Sequence, residues 1–192
     1  MSQSFSRTRT LVECALLIAV GIVLSKITLF SMPYGGSVTL LSSLPFMIIS
    51  FRHGVKWGLL SGFVNGLIGM LTGFYAPPSG TIPAFIGVVL LDYLLAFTAL
   101  GTADLFAKPF KNRMVGVAVG VICASVLRLL CSFLSGWLLW GSLQSEYEWA
   151  IGLPTWLYSL IYNATYMVPE MLLTAVAAVI LCKLMPKVVN RV

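Results

Sequence analysis

Asp92, Arg128 and Glu170 are charged residues set inside long apolar stretches, and Lys26 stands near the end of another. Ionisable groups are costly to bury in such surroundings, so each is expected either to pair with an opposite charge or to serve a bound molecule. Arg128 is the fifteenth residue of the stretch from Met114 to Trp140, and Glu170 the fifteenth of the stretch from Trp156 to Leu184. Equal depth makes a structural ion pair between them the expected arrangement, with a polar floor beneath a ligand as the alternative. Asp92 is placed differently. It lies eight residues inside a stretch beginning at Ala84, hence about 12 Å below the outer end of a helix, a depth a ligand can reach. Tyr93 adjoins it, Ser132, Ser135, Trp137 and Trp140 close the stretch that carries Arg128, and Tyr158, Tyr162 and Asn163 open the one that carries Glu170. A carboxylate among indole and phenol faces suits a flat organic cation, because the carboxylate supplies charge and the rings supply stacking and cation–π attraction. The same rings also fit an aromatic belt at the membrane interface.

The elements that must position these groups are read from hydropathy. Hydrophobic residues make up 59% of the 192 and charged residues 9%, with a mean hydropathy of +0.97, which excludes an ordinary soluble domain. Apolar stretches run from Leu11 to Phe30, Thr39 to Phe51, Val55 to Phe74, Ala84 to Phe106, Met114 to Trp140 and Trp156 to Leu184. They predict an all-α integral membrane bundle of six transmembrane helices in a single domain, 1–192. The second stretch is the shortest and contains Pro45, which predicts a short, tilted or partly re-entrant element rather than a clean crossing. Between the stretches lie turn signals: Pro33 with Gly35 and Gly36, Pro77 with Pro78, Gly80 and Pro83, and Gly152 with Pro154. The first stretch lacks a small-residue cleavage pattern and is read as retained.

In a six-span arrangement, Arg7, Arg9, Arg52, Lys56, Lys108, Lys111, Arg113, Lys183, Lys187 and Arg191 all fall on one side. That places both termini in the cytoplasm. It also accounts for the net charge of +6 by short juxtamembrane loops, so nucleic acid is not an expected partner. Cys14, Cys123, Cys131 and Cys182 are predicted within spans, with no CxxC pair, and read as small apolar residues. The one histidine, His53, reads as a surface residue in a cytoplasmic turn; no metal site, cofactor or Ser/His/Asp hydrolase is expected. No glycine-rich loop ends in Gly-Lys-Ser/Thr, so any ATP must be used by a partner. A membrane enzyme would need a nucleophile and a base that the residues do not assemble, and a purely structural bundle would turn the same charges into a network without a pocket.

Tyr158 and Asn163 are five residues apart, about 140° around a regular helix, so a pocket using both must wrap that helix or meet an irregular first turn. Pro169, just before Glu170, is expected to bend the helix. The segments LLDYLLAFTALG, RLLCSFLSGWLLWG and WLYSLIYNATYMVPE, with GGSVTL after the first outer turn and RHGVKWGLLSGFVNGL joining the second and third stretches, resemble the thiamine-specific S-component of energy-coupling factor (ECF) transporters. The resemblance covers most of the chain. It implies the S-component type of bundle in a prokaryotic plasma membrane, capturing thiamine from outside and working with an ECF transmembrane coupling protein and two cytoplasmic ATPase subunits. It implies ligand contacts at Asp92, Tyr93, Trp140, Tyr158 and Asn163. It further implies a docking stripe for the coupling protein at Ala15 and Ala19, whose four-residue spacing puts both methyls on one helix face. Ser132 stands where the family commonly has a histidine, in CSFLSG against CHFLSG, so a ring contact is lost, and a thiamine precursor, an analogue or another small vitamin is the alternative ligand to thiamine. Ser132 and Trp137 are further candidate contacts, with Tyr34 and Tyr75 completing a lid. The first outer turn, SMPYGGSVTLL, is expected to act as a gate, since Gly35 and Gly36 permit backbone motion.

Overall fold

The computed structural model describes residues 7–32 and 35–189. Helix α1 (Arg7–Ser25) ends five residues before the apolar stretch does. Ser25 folds its hydroxyl back onto the Ile22 carbonyl at 2.7 Å, and the β-branched and aromatic residues that follow form strand β1 (Thr28–Ser31). This strand pairs antiparallel with β2 (Ser37–Thr39), Phe30 opposite Val38 and Ser31 opposite Ser37. The all-α expectation is therefore amended by one small ribbon.

Helix α2 (Leu44–His53) has ten residues, which rise about 15 Å, half the thickness of a hydrocarbon core. The expected second span is thus a half-height helix entered from a non-helical segment. Pro45 is tolerated because it lies in the first turn, where its missing N–H costs no helix bond. Every residue from Leu44 to Phe51 is buried, and irregular backbone at this depth is permissible only where protein or a cavity covers it.

Gly54 (φ 93°) turns the chain into α3 (Val55–Thr72), whose Gly58, Gly62 and Gly66 press against the next long helix. A Cβ on Gly62 would stand 2.3 Å from the Phe97 carbonyl oxygen, and one on Gly66 2.6 Å from that of Tyr93. Only glycine permits this approach of backbones. That neighbour, α4 (Ile82–Leu100), contains a π-helical stretch, Val89–Leu95, and stops at Gly101, whereas the hydropathy continued to Phe106. The remainder forms the short α5 (Ala103–Ala107). Helix α6 (Arg113–Leu139) starts at an Asn112 cap, whose Oδ1 accepts from the Met114 and Val115 amides at 3.0 and 3.4 Å. Two short 3₁₀ turns (Gly141–Glu146 and Glu148–Ala150) lead to α7 (Thr155–Leu184), and α8 (Pro186–Val189) closes the described chain.

Helices α1, α4, α6 and α7 are each long and apolar enough to cross a membrane. The α2 residues Phe46, Met47 and Phe51 pack with Leu100, Val117, Val121 and Ala178 into a dry core that fills the end of the bundle nearest the basic loops. His53 belongs to this end and is not a surface residue. Its side chain is 4% exposed, and Nε2 lies 3.1 Å from the Glu13 carboxylate, which also receives Arg52 Nε at 2.8 Å. Arg52 further donates to the Lys187 carbonyl, joining α1, α2 and the C-terminal segment. The opposite half of the bundle is hollow.

Candidate functional site

The hollow is a cavity of about 320 Å³ bounded by α1, the β1–β2 segment, α3, α4, α6, α7 and the 3₁₀ loop. On one wall, the π-helical turn of α4 carries Asp92 and Tyr93. The extra residue per turn locally re-aims side chains, a device concentrated at functional sites. Asp92 Oδ2 accepts from Ser135 Oγ at 2.5 Å and from Trp140 Nε1 at 3.0 Å, both on or at the end of α6. Both bonds fall on one oxygen, and among the described residues none is made to Oδ1.

Tyr93 lines the cavity with its ring, but its hydroxyl accepts from the Tyr75 amide at 3.0 Å and donates to the Gly73 carbonyl at 3.1 Å. It therefore pins the segment leaving α3, and its ring stacks on Phe74 at 5.4 Å. Tyr75 is half exposed and covers Gly35, so it sits at the rim.

The facing wall is aromatic. Tyr158, Tyr162 and Tyr166 repeat every four residues along α7, with ring centroids 5.9 and 6.1 Å apart, and Tyr147 from the loop adds its ring at 5.8 and 5.7 Å from the first two. Asn163 lines the cavity too, and with Tyr158 this makes the cavity wrap α7, whose first turns are regular. The Asn163 amide nitrogen donates to the Ser159 carbonyl at 2.9 Å and to that of Ser132 at 3.3 Å, while its Oδ1 accepts from Tyr166 at 2.8 Å. Its bonds to Ser159 and Tyr166 stay within α7, and the one to the Ser132 carbonyl crosses the α6–α7 seam. Gly136 makes that seam possible, since a Cβ there would stand 2.3 Å from Ser159 Oγ.

The floor is ionic. Arg128 Nη1 lies 3.3 Å from Glu170 Oε2, so the two charges expected at equal depth do meet. Thr39, Ser42 and Ser43 place their hydroxyls 3.0, 3.2 and 2.9 Å from the other carboxylate oxygen, Oε1. Arg128 also donates to Ser43 Oγ at 3.1 Å and lies 5.1 Å over the Phe97 ring. The buried charges are thereby paired and hydrogen-bonded, the condition on which such pairs survive. Over the top, the Tyr162 hydroxyl donates to the Gly35 carbonyl at 2.6 Å, and Gly36 lies flat on Tyr166.

Asp92, Tyr93, Tyr75, Ser132, Trp140, Tyr158 and Asn163 are thus gathered around one cavity together with Arg128 and Glu170. Trp137 is not. It is 44% exposed and rests on Phe133, because the α6 face toward the cavity is Ser132, Gly136 and Trp140 at four-residue intervals, and residue 137 is turned about 100° from it. Tyr34 lies outside the described residues. Sequence reasoning missed Tyr147 and Tyr166 and the three hydroxyls of the floor. The four-residue ladder of tyrosines ending in Glu170 would have revealed Tyr166, whereas Thr39, Ser42 and Ser43 were absorbed into an apolar stretch.

Residues 11–190 match the family model described as thiamine transporter protein (Thia_YuaJ). The chain belongs to this thiamine transporter family. Consistent with that membership, it is 34% identical to the thiamine transporter ThiT of Bacillus subtilis (strain 168), over 99% of this chain and 98% of that one. A solved structure of ThiT from Listeria monocytogenes superposes with a TM-score of 0.78 at 26% identity, covering 96% of this chain and 98% of that one. The half-height α2, the π-helical turn and the ionic floor are therefore set within a membrane fold of this family.

Proposed function

We propose that this chain is the substrate-binding membrane subunit of an ECF-type vitamin transporter, an S-component that takes thiamine from outside into the cavity and passes it inward with partner subunits. The observation that carries the reading is Asp92, a carboxylate with one oxygen held by Ser135 and Trp140 and the other unengaged, in a cavity whose facing wall is tyrosine. Thiamine joins a permanently cationic thiazolium to an aminopyrimidine, so it offers both a charge and N–H donors to that oxygen while its flat rings lie against the phenols. A volume of about 320 Å³ is at the small end of ligand sites, which favours a vitamin over a larger molecule. The chain makes and breaks no covalent bond in this scheme.

The Gly35–Gly36 segment closes over the ligand from outside. Inward release needs energy, which an ECF coupling protein and two cytoplasmic ATPases would supply. Ala15 and Ala19 are exposed on α1 between Leu11, Leu16 and Val23, a smooth apolar face suited to another membrane helix. The basic loops favour both termini on the cytoplasmic side of a prokaryotic plasma membrane. Ser132 lines the cavity where the resemblance leads one to expect histidine, which favours a second reading, a thiamine precursor or analogue as the preferred ligand.

Titration of the purified chain with thiamine, and separately with its pyrimidine and thiazole halves, distinguishes the two by quenching of tryptophan fluorescence. Saturable quenching by thiamine at far lower concentration than by either half supports the first reading. Tighter binding of one half supports the second, and silence toward all three in folded protein refutes both.

A further inference from the structure

The ionic floor does more than neutralise a buried pair, because the three hydroxyls it gathers all belong to the segment that roofs the cavity. Thr39 ends β2, Ser42 and Ser43 lead into α2, and all three converge on Glu170 Oε1 within 3.2 Å. Between them lies Leu41 at φ 60°, the one left-handed residue other than glycine among those described. A bulky side chain adopts that conformation only where its surroundings over-determine it. Here they do, since Thr39 on one side and Ser42 and Ser43 on the other are tied to the same carboxylate oxygen. Upstream of Thr39 the chain has little slack. Val38 is buried against Tyr166 and Met167, Gly36 lies on the Tyr166 ring, and Gly35 accepts from Tyr162. Two residues, Ser37 and Val38, separate the anchored Thr39 from Gly36.

We infer that Glu170 is a positioning residue for the lid: with Arg128 holding its second oxygen, it fixes the strained Thr39–Ser43 turn and so sets where Gly35 and Gly36 cover the ligand. This rests on the cavity being the thiamine site. It assigns the floor a part in how long the ligand stays, whereas Asp92 governs how strongly it is recognised. The substitutions that test it are on the hydroxyl side, since they leave the Arg128–Glu170 pair intact.

Thr39→Val removes the hydroxyl at nearly constant shape, Thr39→Ser restores it, and Ser42→Ala is the milder variant should Thr39→Val fail to fold. Two measurements are made on the full chain in detergent: thiamine release after rapid mixing with excess competitor, and amide hydrogen exchange of residues 35–43 without ligand. Loss of one hydrogen bond to a charged group predicts release about tenfold faster, with association changed less than about twofold. Exchange over 35–43 should accelerate while that of α6 and α7 stays as in the wild type, and Thr39→Ser should return both readouts toward wild type. Unchanged release with unchanged exchange at 35–43 overturns the inference, as does loss of protection spread evenly over the molecule. If wild-type protein binds no thiamine, the functional reading fails, and the exchange measurement still decides whether Glu170 anchors the segment.

Discussion

Asp92→Asn is the perturbation that bears most directly on ligand recognition. Asparagine keeps the size of the side chain, and its carbonyl oxygen can take the place of Oδ2, accepting from Ser135 and Trp140 as before. The amide nitrogen then replaces Oδ1 and presents donors to the cavity where an acceptor had been. Two losses follow for a cationic, N–H-bearing ligand: a charge-assisted hydrogen bond of about 1.5–3 kcal/mol, and a ligand donor left unpaired at a further cost of about 1 kcal/mol. The sum, about 2.5–4 kcal/mol, corresponds to a Kd raised between about 60-fold and about 10³-fold. Folding should be little affected, because the substitution removes a buried charge and retains both existing bonds. The assay is equilibrium titration with thiamine followed by tryptophan fluorescence, with Trp140 adjacent to the altered group, alongside thermal unfolding to establish the fold. A Kd within about threefold of wild type in folded protein would refute the assignment, since so small a change is under about 0.7 kcal/mol and below any charge-assisted contact.

Three further outcomes are expected. Gly36→Ala sets a Cβ 2.7 Å from the Tyr166 ring at φ 80°, so the lid should be displaced and thiamine affinity fall about tenfold with little change in unfolding temperature; unchanged binding would show that the lid does not close there. Arg128→Met or Glu170→Met alone should destabilise by about 3–5 kcal/mol, while the double variant should recover much of that loss in the same unfolding assay; additive losses would refute the pairing. Tryptophan at Ala15 or Ala19 should leave thiamine binding within about twofold yet abolish uptake in vesicles that contain the energising subunits, and undiminished uptake would move the docking face elsewhere.

Much of this arrangement was legible in the amino-acid order because burying charge in an apolar stretch is so costly that position alone constrains partnership. Arg128 and Glu170 were paired by depth, and the structure brings them to 3.3 Å. Asp92 was singled out by type and depth, with Trp140 and Ser135 near it in the same layer, and the bonds among them follow. Hydropathy was silent where helices end for other reasons. It extended the first span to Phe30, across most of strand β1, and it read Thr39–Phe51 as one element although the first five residues form strand and turn. The π-helical turn at Asp92 has no compositional mark at all, being fixed by how α4 packs on the glycines of α3 and on α6. Trp137 was misplaced because residue type was weighed without helical phase.

The half-height α2 has a consequence for how the chain is made. Ten residues with a proline are too few to enter a bilayer as an independent segment, so α2 has to be carried in beside its neighbours and settle afterwards. Its upper anchors arrive late: Ser43 waits 85 residues for Arg128 and 127 for Glu170. At a synthesis rate of about 5–20 residues per second, that delay is roughly 6–25 s, during which the segment 39–43 has no ionic floor to sit on. The binding chamber can therefore be completed only after the Glu170 turn of α7 has emerged. A chain cut short before Glu170 would have most of its membrane-crossing helices and no vessel for a ligand.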